Sequence, residues 1–133
     1  SGFTDMPMNH KVFLAQFDAI KKLASEGPCV MVGRCADYAL SEYKDCFSVF
    51  VHADTDWRIN RLSQKHNKTA KEAKDMINKT DKSRSSYYNY YTNKKWGAAS
   101  SYNLCVDSSK LGIDGAAKAI IQAIEIFDSI KNK

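Results

Sequence analysis

The chain has 133 residues, which is enough for one domain with a hydrophobic core and too few for two. Apolar residues make up 44% of the chain and charged residues 26%, so we expect a folded protein and not a disordered one. No apolar run reaches the roughly 18–20 residues of a membrane span, and the first residues lack the basic and apolar regions of a signal peptide. We therefore predict a cytoplasmic protein with a single domain over residues 1–133 and no membrane partner.

The formal net charge of +5 and the isoelectric point of about 9.0 predict an anionic partner, such as a nucleotide, a phosphate or a nucleic acid. The charge is regional, because arginines and lysines cluster between Arg58 and Lys95. The alternative is a basic surface that only keeps the protein soluble. The four cysteines form no C-x-x-C pair, and no histidine lies at a zinc-like spacing, so we expect free thiols and no metal site.

The first half of the chain contains a predicted helix over residues 9–25, where apolar residues recur every three or four positions. These residues are Phe13, Phe17, Ile20 and Ala24. Gly27 and Pro28 end the helix. Residues 29–33 are a continuous apolar run, which predicts a strand buried on both faces of a parallel sheet. One or two helical turns follow over residues 36–41.

The second half alternates strands and helices. Residues 46–52 are rich in β-branched and aromatic side chains and predict a strand. Residues 102–107 predict another strand. Carboxylates at the start of residues 54–65 and a capping box at the start of residues 69–91 predict two helices between them, and a last helix is predicted over residues 113–130. Strands that alternate with helices imply right-handed crossovers, so the expected fold is α/β with a three-stranded parallel sheet.

Arg34 is the first candidate for binding, because it follows Gly33 at the end of the predicted strand over residues 29–33. Ligands of open α/β sheets bind at the carboxyl ends of the strands, where a guanidinium can hold a phosphate or a carboxylate. The alternative is a local salt bridge from Arg34 to Asp37. Asp37 could instead orient Arg34 or contact a sugar hydroxyl.

Two helical faces supply the other candidates. Arg58, Arg61 and Lys65 are spaced to share one face, which suits a polyphosphate, although a solvated basic face is the alternative. Asp81, Arg84 and Tyr88 share a face of the next helix. An arginine among tyrosines and serines indicates a phosphate or base contact, whereas the tyrosines could also pack this helix onto the domain.

Several stretches resemble the cytidylate kinase-like family of P-loop proteins. The first, residues 27–38, contains Gly33 and Arg34. The others are residues 50–62, residues 73–91 and residues 102–108. Together they cover nearly the whole chain in the order of the family.

The resemblance implies a three-layer α/β/α fold of the P-loop kinase type, with a lid over about residues 58–95. It also implies ATP-dependent phosphorylation of a nucleoside monophosphate such as CMP or dCMP, with Mg²⁺. The catalytic residues it implies are Arg58, Arg61 and Arg84. The residues it implies for substrate binding are Arg34, Asp37 and Asp81, and we add Tyr88 because it shares a helical face with Asp81 and Arg84.

One departure from the family is large. The 133 residues contain no glycine-rich phosphate loop of the form G-x-x-x-x-G-K-S/T. We therefore expect the carboxyl-terminal two-thirds of a kinase-like domain, inactive by itself and with an incomplete sheet. Cys35 stands where cytidylate kinases carry an acid, which leaves the acceptor base open. The alternatives are a module that binds RNA or another polyanion without catalysis, a kinase with a different small acceptor, and a homodimer in which two copies cover each other's sheet edges.

Overall fold

The computed structural model describes residues 6–132, with side chains from residue 10 onward. These residues form two compact units, the first ending at Cys46 and the second beginning at Phe47. None of the helices in this part of the chain is long and apolar enough to span a membrane.

The first unit contains two helices, α1 (Met6–Glu26) and α2 (Ala36–Ala39). The predicted apolar stripe of α1 is confirmed, because its side chains pack against α2 and the residue after it. The buried core of the unit consists of Ile20, Ala36, Ala39 and Leu40. Phe17 and Ala24 of the stripe lie against this core. The helix ends where predicted, just before Gly27 and Pro28.

The prediction of a strand over residues 29–33 is wrong. In the described chain this run pairs with no other strand, and Val30 and Val32 are 93% and 88% exposed. Only Met31 of the run packs against the core of the first unit. A strand is defined by its hydrogen-bonded neighbours, and an apolar run cannot supply them by itself. Arg34 therefore follows a loop and not a strand.

The second unit is built on a two-stranded parallel sheet, β1 (Val49–His52) and β2 (Leu104–Asp107). Val49 pairs with Leu104 and His52 pairs with Asp107, so both strands end at the same edge. The last helix, α5 (Ser108–Lys131), packs against both strands. Gly112 (φ 74°) interrupts α5 directly before residue 113, where the last helix was predicted to begin. Residues 108–111 are also helical, so the observed helix starts earlier than predicted.

Between the strands, α3 (Thr55–His66) and α4 (Ala70–Thr92) form a helical hairpin. Both starts are as predicted. Asp54 caps α3, and Thr69 and Glu72 form a reciprocal capping box on α4. Asn67 ends α3 in a left-handed conformation that turns the chain.

An aromatic cluster fixes the second half of α4 beside the sheet. Tyr88 is 6% exposed, and its ring centroid lies 6.0 Å from that of Tyr102. The Tyr102 ring lies 4.8 Å from Phe50 of β1, and Trp96 meets Phe50 edge-on at 5.2 Å. The described fold is thus a mostly helical α/β fold whose hairpin is anchored to a small parallel sheet.

Candidate functional site

A cleft of about 430 Å³ lies at the carboxyl ends of β1 and β2. Both α3 and α5 begin at this edge, so their backbone N–H groups give the cleft a positive partial charge. The residues that line the cleft come from the two strand ends and the first turns of the two helices. They are His52, Ala53, Asp54, Trp57, Asp107, Ser109 and Lys110.

Hydrogen bonds connect the segment after β1 to the start of α5 at the cleft. Oδ2 of Asp54 accepts a hydrogen bond from the backbone N–H of Trp57 at 3.4 Å. The backbone N–H of Asp54 donates to Oγ of Ser109 at 3.0 Å. Across the sheet edge, the hydroxyl of Ser108 donates to the carbonyl of His52 at 3.2 Å. The side chains of the cleft are therefore presented from a fixed frame.

Asp107 acts as the cap of α5. Its Oδ1 accepts hydrogen bonds from the hydroxyl of Ser109 and from the backbone N–H groups of Ser109, at 2.9 Å, and Lys110, at 3.3 Å. The hydroxyl of Ser109, followed by these N–H groups and the nearby charge of His52, lowers the pKa of Asp107. Asp107 is thus an ionised acceptor that holds the loop, and not a free general base.

Arg58 and Asp81 are brought together by the hairpin. Nη1 and Nη2 of Arg58 donate to the two carboxylate oxygens of Asp81 at 2.8 and 2.7 Å. The hydrogen bonds from Arg58 to Asp81, more than the carboxylate's charge, raise the pKa of the Arg58 guanidinium. One turn further along α3, the Arg61 guanidinium lies 5.7 Å from the ring centroid of Trp57, which is a cation–π distance.

Arg84 and Tyr88 have different surroundings on α4. Arg84 is exposed, and no carboxylate of residues 6–132 lies within ion-pair distance of it. Tyr88 is buried in the aromatic cluster with Tyr102. The surroundings of Tyr88 favour the packing alternative, and those of Arg84 leave its guanidinium open to an anion.

Arg34 and Asp37 belong to the first unit, on a turn of unusual conformation. Gly33, Arg34 and Cys35 have successive positive φ angles of 70°, 60° and 56°. Arg34 is exposed, and within the described chain it makes no salt bridge to Asp37 or to any other acid. Oδ1 of Asp37 accepts a hydrogen bond from the backbone N–H of Tyr38 at 2.9 Å. The turn therefore presents a guanidinium without a carboxylate partner.

The thiol of Cys35 lies beneath this turn. Burial, followed by the negative charge of Asp37, raises the pKa of Cys35 from 9.0 to about 11. The thiol is therefore protonated at neutral pH and unsuited to nucleophilic chemistry.

The cleft itself was not predicted from the sequence. The helix start predicted from carboxylates at residue 54 is confirmed, because Asp54 caps α3, and Asp107 caps α5 in the same way. Trp57 and Lys110 were not singled out at all. The signal that could have located the cleft was the predicted parallel sheet, because parallel strands bring their carboxyl ends to one edge, as β1 and β2 do.

In the described part of the chain, no group of three or more His, Cys, Asp or Glu side chains converges on one point. The carboxylates at the cleft, Asp54 and Asp107, each use one oxygen as a helix cap. None of the described residues is assigned to Mg²⁺.

Comparison with known families adds a second kind of evidence to this geometry. The model of the cytidylate kinase-like family matches residues 1–110. The chain belongs to the cytidylate kinase-like family. The resemblance predicted from residues 27–38 and the three later stretches is thereby confirmed.

The crystal structure of an uncharacterized protein from Eubacterium ventriosum ATCC 27560 is similar to this cytidylate kinase-like chain. The two share 33% identity with a TM-score of 0.84, over 88% of this chain and 74% of the other. No curated protein matches the chain.

Proposed function

We propose that this cytidylate kinase-like chain binds nucleotides and belongs to a phosphotransferase that moves a phosphoryl group from ATP to a nucleoside monophosphate. The observation that carries the proposal is the cleft at the carboxyl ends of β1 and β2, with Trp57 on its wall and two helix N-termini facing it. An aromatic face suits a base, and N–H groups with arginines suit phosphates.

Arginines carry the proposed chemistry. Phosphoryl transfer depends on positioning and on neutralising the charge of the phosphates. In the proposal, ATP stacks its base on Trp57, and Lys110, Arg61 and Arg58 take its phosphates. Arg61 is available for this role because its present contact is only a cation–π contact.

The residues that would bind the acceptor nucleotide are assigned from the family resemblance. Arg34, with Asp37 beside it, would hold the acceptor phosphate, and Arg84 would act across the transferred group. The exposed, unpaired guanidinium of Arg34 supports this role. No phosphate loop occurs in the 133 residues, so turnover and the three-layer fold are proposed for the complete domain, and nucleotide binding for these residues.

A second candidate function is polyanion binding without catalysis, and one observation favours it. Residues 55–92 contain nine Lys and Arg and four Asp and Glu, which gives a net charge of +5, equal to that of the whole chain. The rest of the chain is therefore neutral. Tyr90 lies on the same hairpin and is 55% exposed, so it could stack on a base of single-stranded RNA.

The two tryptophans of the chain allow a matched test. Trp57 lines the cleft, whereas Trp96 packs edge-on against Phe50. Titration of ATP should quench tryptophan fluorescence in the wild type and in Trp96→Phe. Trp57→Phe should lose the quench.

A quench that survives Trp57→Phe would refute the assignment of the cleft. RNA binding with a steep dependence on salt, together with no response to any mononucleotide, would favour the second candidate.

A further inference from the structure

The ion pair between Arg58 and Asp81 occupies the two terminal nitrogens of the guanidinium, which a phosphate could also bind. Two guanidinium nitrogens donate to two carboxylate oxygens at 2.7 and 2.8 Å. A carboxylate and a phosphate present the same pair of acceptors to the fork of an arginine. Asp81 therefore occupies Arg58 as a ligand phosphate would.

Arg58 differs in this respect from the other arginines of the hairpin. Arg61 stacks on Trp57, and Arg84 has no carboxylate of the described chain within ion-pair distance. Arg58 follows Trp57, a residue that lines the cleft, in the first half of α3. Among the three arginines of the hairpin, Arg58 is thus the one that an internal anion already holds.

The pair is accessible enough to exchange partners. The side chains of Arg58 and Asp81 are 31% and 28% exposed, so water and small anions reach both. Ion pairs at such exposure are weak, and a ligand that offers more negative charge can displace the carboxylate. A fully buried pair would instead leave an uncompensated charge when broken.

We propose that Asp81 is an internal competitor for ligand phosphate: it holds Arg58 in the free protein and releases it when a polyphosphate enters the cleft. The inference rests on the proposed function for its ligand, and it assigns Asp81 an action through Arg58 instead of a direct contact with the acceptor. Asp81 is then a positioning residue. Binding of a polyphosphate would also free α4 from α3 at this point.

The test measures the affinity of inorganic tripolyphosphate and of ATP by isothermal titration calorimetry at one low ionic strength. Tripolyphosphate has the phosphates without the base. The variant is Asp81→Asn, which keeps the shape of the side chain and removes the charge. The matched control is Asp75→Asn, because Asp75 is exposed on the same helix and its loss changes the net charge equally. Both substitutions are repeated in an Arg58→Gln background.

We expect Asp81→Asn to tighten tripolyphosphate binding about two- to fivefold, the range expected for loss of a weak competing pair. Asp75→Asn should change it by less, since it alters only the general electrostatic attraction. In the Arg58→Gln background, the extra effect of Asp81→Asn should vanish. That coupling distinguishes competition for Arg58 from a merely structural role of Asp81, because a structural effect of Asp81→Asn would persist in the Arg58→Gln background.

The inference would be overturned by weaker binding in Asp81→Asn, by an effect equal to that of Asp75→Asn, or by an effect that persists with Arg58→Gln. Absence of tripolyphosphate binding in both the wild type and Asp81→Asn would overturn it as well. If tripolyphosphate shows the coupling while ATP fails to bind, the inference stands and the proposed function falls.

Discussion

Replacing Arg34 by glycine should make the protein more stable while weakening its binding of a nucleoside monophosphate. Arg34 has a φ of 60°, between Gly33 and Cys35, which also have positive φ angles. A side chain in this region costs about 1–2 kcal/mol, because its Cβ approaches the backbone carbonyl. Since Arg34 is exposed, its loss sacrifices little packing.

The magnitude follows from two opposing contributions. Glycine removes the backbone strain, which raises the free energy of unfolding by about 1–2 kcal/mol. Its greater conformational freedom in the unfolded chain lowers the free energy of unfolding by about 0.5–1 kcal/mol. The free energy of unfolding should therefore rise by about 0.5–1 kcal/mol, which corresponds to roughly 2–5 °C in Tm for a chain of this size. Arg34→Ala is the matched control, because alanine keeps the Cβ and should give no such gain.

The glycine and alanine variants of Arg34 should differ in stability but lose the same amount of CMP affinity. Both substitutions remove the guanidinium, so both should weaken CMP binding about tenfold or more, the value of a charged hydrogen bond to a phosphate. Urea denaturation measures stability and calorimetry measures affinity. Equal stability of the glycine and alanine variants would refute the strain argument, and unchanged CMP affinity in both would refute the assignment of Arg34 to the acceptor.

Two further predictions concern the helix start and the thiol. Thr69→Ala should lower the free energy of unfolding by about 1 kcal/mol in urea melts followed by circular dichroism, because it removes the hydroxyl half of the capping box with Glu72; no change would show that α4 does not depend on its cap. Cys35 should react with iodoacetamide at pH 8 about a hundredfold more slowly than a thiol of pKa 9.0, since its own pKa is about 11. The stability that the neutral thiol contributes should be complete below pH 9.0 and decline as the pH rises toward 11, and peptide mapping that finds Cys35 labelled before the exposed Cys29 would contradict the burial argument.

The local parts of the fold were predictable because each depends on neighbours in sequence. The stripe of α1, the cap at Asp54 and the capping box at Thr69 are decided within one or two helical turns, and all of them are present. Both strands of the second unit were predicted, the first of them from its β-branched and aromatic residues. Their observed bounds are shorter than predicted, since a strand extends only as far as its partner.

The predictions that failed all depend on contacts between residues that are far apart in sequence. The apolar run over residues 29–33 suggested burial, yet Val30 and Val32 have no strand beside them in the described chain. Arg58 and Asp81 were both selected as binding residues from helical spacing, but their mutual contact spans 23 positions and depends on the turn at Asn67. No local pattern reports such a pairing.

The most direct test of the central claim is an NMR titration of the uniformly labelled protein with ATP. If nucleotides bind in the cleft, amide shifts should concentrate at His52, Trp57, Ser109 and Lys110, with saturation at one site. Shifts spread over the lysines of residues 55–92 without saturation would indicate general polyanion binding. Spectra that do not change at the cleft at any ATP concentration would contradict the account.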